Sequence, residues 1–463
     1  MSSARLTSTR GVAVSAARRA IGAAALCVWL AACGGAPPQE AGELRHLILL
    51  TVDTWRADHS FVELAGVRLT PELERLGRSS IRFAEASSVS ALTSGGVAGI
   101  LTGLYPRRSG VVANAHMLPK TLPTLASVLR DAGFATAAFV ANPVLAPGYG
   151  FEAGFAHYEL VKRQRPRRKA RGSDVNRRVV EWLDGVPAGE RLFLWVHFME
   201  PHGPYEPPEE VRALFDLEAF DAETRIPLLP EGRQDGWQGI PYYQQGPAPV
   251  STDGRDYWLR YAAEVRSLDA ALGELLGVLE RRQILDRSVL VVAADHGEAL
   301  AGDHGFYFSH NNGLTQDQVA VPLLLRYPGC EAGAVVDRPV SNVDVFPTVL
   351  KLFGLDLPAQ LDGFSLLGAE RPGPVVSQSA GETSIRQGDW KLRWIKNQRT
   401  ARLVDLAADP GEEVDLAASH PSRLRELRQR LAEVRRRPVL AESVRRDRLT
   451  EEQRQNLKTL GYL

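Results

Sequence analysis

The sequence predicts an α/β protein built on a doubly wound sheet flanked by helices, and three observations lead there. Short apolar runs, the signature of parallel strands buried on both faces, recur at His46–Asp53, Phe134–Val140, Leu192–Phe198 and Ser288–Ala294. Helical periodicity lies between them: Tyr261, Val265, Leu268, Leu272, Leu275 and Leu279 are spaced by three and four and form one apolar face of a long helix. Two of the runs end in residues able to hold a metal, Asp53 and the pair Asp295-His296. In doubly wound sheets, ligands gather outside the carboxyl ends of strands, so those two ends mark the expected site.

The chain opens on an address rather than on a fold. Arg5, Arg10, Arg18 and Arg19 precede an apolar stretch from Ala20 to Ala32 that is too short to span a bilayer and closes on Leu30-Ala31-Ala32-Cys33. Residues 1–32 read as a signal peptide, and the placement of Cys33 resembles a bacterial lipoprotein signal with Cys33 as the lipidated residue. An ordinary secretory signal with a chance cysteine has the same charge and apolar pattern. Residues 33–43, with Pro37 and Pro38 among small residues, read as a tether. The expected location is the bacterial cell envelope, anchored by lipid on the periplasmic side or the cell surface.

Composition narrows the function classes. The chain of 463 residues carries 55 Lys+Arg against 55 Asp+Glu and is 44% hydrophobic. That balance excludes a disordered chain and gives no charge-based reason to expect a nucleic-acid partner. Of the 3 cysteines, Cys27 lies in the signal and Cys33 at the lipid position, which leaves Cys330. No disulfide can then form within one mature chain, and no four-cysteine zinc site.

Further elements follow in order. Lys162–Arg171 is a strongly basic run, read as a solvated loop with contact to anionic headgroups as the other possibility. Residues 216–255 are rich in Pro, Gly and Gln and read as a surface insertion near the site mouth. After about residue 375 the texture changes to short strands such as Trp390–Ile395. A helix carrying Leu424, Leu427, Leu431 and Val434 follows, expected to dock on the body.

Taken in order, LLTVDTWRADHS, LTGLYPRRSGV, FMEPHGPYEPP, ADHGEALAGDHG, VPLLLRYPG, SNVDVFPTVLKLFGL, LVDLAADPGEEVDL and the closing LKTLGYL resemble the sulfatase family of the alkaline phosphatase superfamily. The resemblance implies a large mixed sheet flanked by helices in residues 44–375 and a smaller C-terminal sheet-and-helix subdomain in 376–463. It implies that Asp53, Asp295 and His296 are metal ligands. Counting nine residues back from Thr102 puts Thr93 at the metal-bound nucleophile position. His202 matches a substrate-anion-binding histidine, and His310 resembles the histidine that follows Asp-His-Gly-Glu in phosphoethanolamine transferases. Asn142 stands where a substrate contact or a turn residue is expected.

The departures from the family pattern bear on the chemistry. The usual Cys/Ser-x-Pro-x-Arg window, source of formylglycine, reads Thr93-Ser94-Gly95-Gly96-Val97, and Thr is not a substrate for that modification. The usual Asp-Asp pair is Asp53-Thr54, the late Asp-Asn pair is Asp295-His296, and the lysine-histidine motif is replaced by Ala141-Asn142-Pro143. Losing two oxygen donors and gaining an imidazole moves the expected divalent metal from Ca²⁺ toward Zn²⁺ or Mn²⁺.

Attack on a phosphate or sulfate ester needs an activated oxygen nucleophile, a cation and a proton donor, and this residue set supplies all three. Thr93 is read as the nucleophile at a helix start; a plain N-cap, with Ser90 or Ser94 as nucleophile or none, is the alternative. Asp58 and His59 read as structural, Asp344 as a helix N-cap, and Glu298 as a possible support for His296. The expected function is metal-dependent hydrolysis of sulfate or phosphate esters, phosphoester favoured, on a small-molecule, glycan or lipid substrate. The alternatives are a phosphoethanolamine-type transferase and a degenerate, anion-binding member.

Overall fold

The computed structural model describes residues 44–463 apart from 115, 163–168, 247–249, 301, 443, 446–449, 461 and 463. The signal peptide, Cys33, the tether and most of the basic run therefore lie outside the described residues. Residues Gly42–Leu463 form one compact unit.

Its centre is an eight-stranded sheet of β1 (His46–Val52), β2 (Ile81–Phe83), β3 (Ala135–Val140), β4 (His157–Leu160), β5 (Leu192–Phe198), β6 (Ser288–Ala294), β7 (Leu323–Arg326) and β8 (Val335–Val336). The spatial order is β8-β2-β7-β6-β1-β5-β3-β4. β1 pairs in parallel with β6 on one side and β5 on the other, in registers that set Val52 opposite Ala294 and Phe198. β7 runs antiparallel to both β6 and β2, which makes the sheet mixed. Every residue of β1, β5 and β6 is buried, the physical reason that these segments read as unbroken apolar runs.

The helices that bear on the site are α1 (Thr93–Thr102), α2 (Gly172–Asp184), α3 (Gly254–Arg281), α4 (Val345–Leu352), α5 (Pro421–Arg436) and α6 (Glu451–Thr459). α3 contains the whole predicted stripe from Tyr261 to Leu279, all of it buried, and starts where Asp253 accepts the Arg255 N–H at 3.0 Å. Asp344 precedes α4 but does not cap it as expected: it lies in the 3-10 turn Asn342–Asp344, and its carboxylate accepts the Ser341 and Phe364 N–H groups and pairs with Arg371.

A second, antiparallel sheet of β9 (Val375–Gln378), β10 (Glu382–Gln387), β11 (Trp390–Ile395) and β12 (Thr400–Asp405) follows in consecutive order. α5 covers it with Leu427, Leu431 and Val434. That small core also takes in Val89, Tyr105 and Val343, so it is continuous with the larger part of the molecule. Among the described residues, 216–253 carry short 3-10 turns at Leu217–Ala219 and Tyr242–Gln244 and isolated bridges at Leu228, Trp237 and Ile240, and α3 begins in the last two residues of the stretch. One expectation needs correction. Lys169, placed in a solvated loop, is buried and pairs with Glu264 at 3.0 Å, because its chain turns inward to start α2.

Candidate active site

The parallel registers bring four strand ends to one place. β1 delivers Asp53, β6 delivers Asp295 and His296, β5 carries His197 and β3 leads into Asn142. Backbone bonds lock the ends together: the Asp53 N–H donates to Phe198 O at 3.1 Å and the Asp295 N–H to Val52 O at 3.0 Å. One ligand-type atom from each of Asp53, Asp295 and His296 lies within 4.8 Å of the others, and all three residues are buried.

These donors are under-satisfied. Asp295 Oδ1 accepts the N–H groups of Thr54 and His296 at 3.3 and 2.7 Å, but Asp295 Oδ2 and Asp53 Oδ1 have no hydrogen-bond partner. Neither ring nitrogen of His197 has one either, and its Nε2 stands 3.8 Å from Asp295 Oδ2 and 4.0 Å from Asp53 Oδ2. Buried polar atoms are normally paired, and orphaned acceptors converging on one point are what a cation site requires. Burial, followed by the charge of Asp295, pushes Asp53 well above the usual carboxylate range. Burial also opposes ionisation of Asp295, yet His296 and His197 together hold it below its ordinary value. Burial and the neighbouring charge favour one negative charge on the pair over two unless a cation is present.

Thr93 opens α1, a helix buried over its whole length. The approach depends on Gly96, where a Cβ would come within 2.2 Å of the Asp295 carbonyl oxygen, so only glycine lets the helix start abut the strand end. Thr93 Oγ1 then lies 3.4 Å from His296 Nε2. The two serines weighed beside it are placed differently: Ser94 turns to Asn114, and Ser90 Oγ is buried without a partner.

The histidines form a wall beside the threonine. His202 and His310 have ring centroids 5.0 Å apart, and His296 and His310 4.7 Å. His202 Nδ1 contacts Gly203 O at 2.6 Å, which fixes the proton on Nδ1 and leaves Nε2 as an acceptor. Burial, then the neighbouring His310, holds His202 well below the usual imidazole range, so it is neutral. Glu298, expected beside His296, instead bonds His310 Nδ1 at 3.0 Å and receives the Tyr205 hydroxyl at 3.2 Å. His296 Nδ1 is held by its neighbour's carbonyl, Gly297 O, at 2.8 Å. Asn142 is a turn residue, one of its two expected uses, and it also touches the strand-end acid Asp53. Its Oδ1 accepts the Val144 N–H at 2.9 Å to start a turn, while its Nδ2 reaches Asp53 and lies 3.5 Å from Thr93 Oγ1. Asp58 and His59 pair with each other at 2.7 Å, and Trp258 donates to the same ring, a structural arrangement as expected.

Three residues at the site escaped sequence reasoning. His197 left a signal, a histidine inside an otherwise apolar strand. Lys169, which donates to His202 O at 2.5 Å, was hidden in a basic run. Tyr462 left none beyond its place in the closing motif, yet its hydroxyl lies 2.9 Å from His202 Nε2 and receives Asn142 Nδ2 at 2.6 Å. A cleft of about 450 Å³ opens over this group, lined by Asn114, Gln234, Tyr243, His310, Arg445 and Tyr462, so the 216–255 insertion does reach the mouth. A larger cavity of about 660 Å³, lined by Asp58, Glu85, Arg386 and Asp389, touches none of the strand-end residues and is set aside.

Comparison with known proteins identifies the family. The family described as Sulfatase matches residues 45–355. The choline-sulfatase of Rhizobium meliloti is 29% identical over 409 residues, which cover 75% of this chain and 77% of that protein. A solved structure of a protein in complex with its substrate D-glucosamine-2-N,6-O-disulfate aligns with a TM-score of 0.71 at 20% identity, over 85% of this chain and 98% of that one. The phosphonate monoester hydrolase of Agrobacterium radiobacter aligns with a TM-score of 0.70 at 21% identity, over 87% of this chain and 100% of that one. The structural likeness establishes a shared fold.

Proposed function

From the premise that this chain belongs to the sulfatase family, and is therefore an ester hydrolase, we propose that it cleaves phosphate or sulfate esters through Thr93, phosphate esters preferentially. The observation that carries this reading is Thr93 Oγ1, at a buried helix start 3.4 Å from His296 Nε2, where the family places its nucleophile. A threonine cannot supply the formylglycine that usual sulfatases employ, which favours the phosphoester. The name of the choline-sulfatase relative supports the sulfate ester as the second reading.

Asp53, Asp295 and His296, with His197 beside them, fit a divalent cation: their ligand-type atoms cluster, and Asp53 Oδ1, Asp295 Oδ2 and the His197 ring are buried without a partner. Two imidazoles in the set favour Zn²⁺ or Mn²⁺ over Ca²⁺. When bound, such an ion supplies positive charge that favours the ionised hydroxyl and offsets charge developing on the ester oxygens. The chain's own residues do the rest. The positive end of the α1 dipole favours the anion, Asn142 Nδ2 orients Thr93 and an ester oxygen, and His310, aligned by Glu298, gives a proton to the departing oxygen. Attack forms a Thr93 O–P or O–S bond and breaks the bond to the leaving alcohol; water then cleaves the new bond and reprotonates the site. Such a cluster of cation donors weighs against a member that only binds anions.

The test is to load the purified protein with Zn²⁺ or Mn²⁺ and compare aryl phosphate mono- and diesters with aryl sulfate. Phosphate turnover should dominate, and Thr93→Ala should lower kcat/KM by about 1,000-fold or more while intact mass reveals an adduct on the wild type only. Turnover of sulfate alone overturns the phosphate preference, and full activity of Thr93→Ala removes the nucleophile. Lipid anchoring at Cys33 and an envelope location belong to the same reading; labelled palmitate should enter the wild type and not Cys33→Ala.

A further inference from the structure

The residue at the centre of the site is one that no step above uses. Tyr462 Oη lies 2.9 Å from His202 Nε2, 2.6 Å from Asn142 Nδ2 and 3.4 Å from Thr93 Oγ1. The directions are mutually consistent. His202 Nε2 lacks a proton and accepts from the phenol, while Asn142 donates to it. The ring lies against His202 and His310, with centroids 5.2 and 6.2 Å away. The phosphorus or sulfur under attack must come about 3–3.5 Å from the nucleophile, which brings its oxygens among the same neighbours. The phenol and the ester group claim one position.

The segment that brings Tyr462 here includes α6. Leu457 and Leu460 are its buried anchors among the described side chains of residues 450–462, and the Tyr462 N–H closes a turn onto Leu457 O at 2.9 Å. The other described side chains of α6 face solvent.

Resting on the reading of Thr93, Asn142 and His202 as the ester-binding group, we propose that Tyr462 is an internal competitor: its hydroxyl holds the ester-oxygen position, and substrate must displace it. A tethered group competes at high effective concentration, so affinity for any ligand falls by the fraction of molecules in which the phenol has left. Tyr462 therefore selects among substrates. Esters with enough binding surface in the overlying cleft to repay its displacement enter, and bare anions bind weakly.

The experiment measures binding of tungstate, a tetrahedral oxyanion, by calorimetry with the Zn²⁺-loaded full chain. Tyr462→Phe keeps the ring and its packing but removes both strong hydrogen bonds; it should tighten binding about 5- to 10-fold. Leu460→Ala, which loosens the anchor and leaves the phenol intact, should tighten it in the same direction. Unchanged or weaker binding in Tyr462→Phe overturns the proposal, the weaker result making Tyr462 a ligand-binding group. In the Tyr462→Phe background, binding that ignores Asn142→Ala and His202→Ala would remove the ester-binding reading itself, a failure separable from that of the competitor.

Discussion

At the scale of single residues, a buried polar atom without a partner marks Asp53, Asp295 and His197 at the site, and Glu200 as well. Glu200, two residues before His202, is buried, and its Oε1 accepts the Gly172 N–H at 2.9 Å. Burial, then the nearby Glu264, raises its carboxyl to about 7. A carboxyl raised in the folded state contributes stability that is complete below the unfolded value and is lost as pH rises through about 7. Glu200→Gln keeps the acceptor for Gly172, so it should lose less stability than the wild type between about pH 5 and 8, by roughly 2 kcal/mol. Urea unfolding of both proteins at the two pH values checks this; parallel curves would deny Glu200 the role. Residue identity made Asp53, Asp295, His296 and His202 legible in the sequence, because few types can bind cations or anions. It could not reveal His197 or Tyr462, whose importance comes from what surrounds them.

At the scale of elements, the site depends on how closely a helix start can approach a strand end. Gly96 makes that contact, and Gly96→Ala would force the new methyl into the Asp295 carbonyl at 2.2 Å. The substitution should cost about 1–3 kcal/mol by overpacking and move Thr93 off its line to His296, so that kcat/KM falls more than 10-fold in a protein that still folds. Circular dichroism with assay of the same sample measures both. The strands were legible almost to the residue, since β1, β5 and β6 are buried on both faces and carry the unbroken apolar runs that such burial demands. α3 was legible from its stripe, although it begins at Gly254, before the periodicity is apparent. Shorter elements such as β2 and β8 left no signal, because three and two residues cannot express a period.

At the scale of the whole molecule, the two sheets share their packing. Val89, Tyr105 and Val343 pack in one cluster with Val376, Ile385, Leu392 and Leu403, and the Gln378 N–H donates to Val89 O at 2.7 Å. Truncation after residue 375 should therefore leave an aggregating product rather than a smaller enzyme, and the residues from 44 onward should melt in one calorimetric transition. Two separate transitions would show independent folding. The central strand has one more consequence, for the order of assembly. β1 is made first, yet its partners come late: the Leu192 N–H bonds to His46 across 146 residues, and the Thr54 N–H to Asp295 across 241. A chain emerging from a ribosome or a translocation pore must keep Leu47-Ile48-Leu49-Leu50 shielded until β6 appears. Pairings this distant in sequence are expected to slow folding and to leave that apolar strand exposed to aggregation meanwhile.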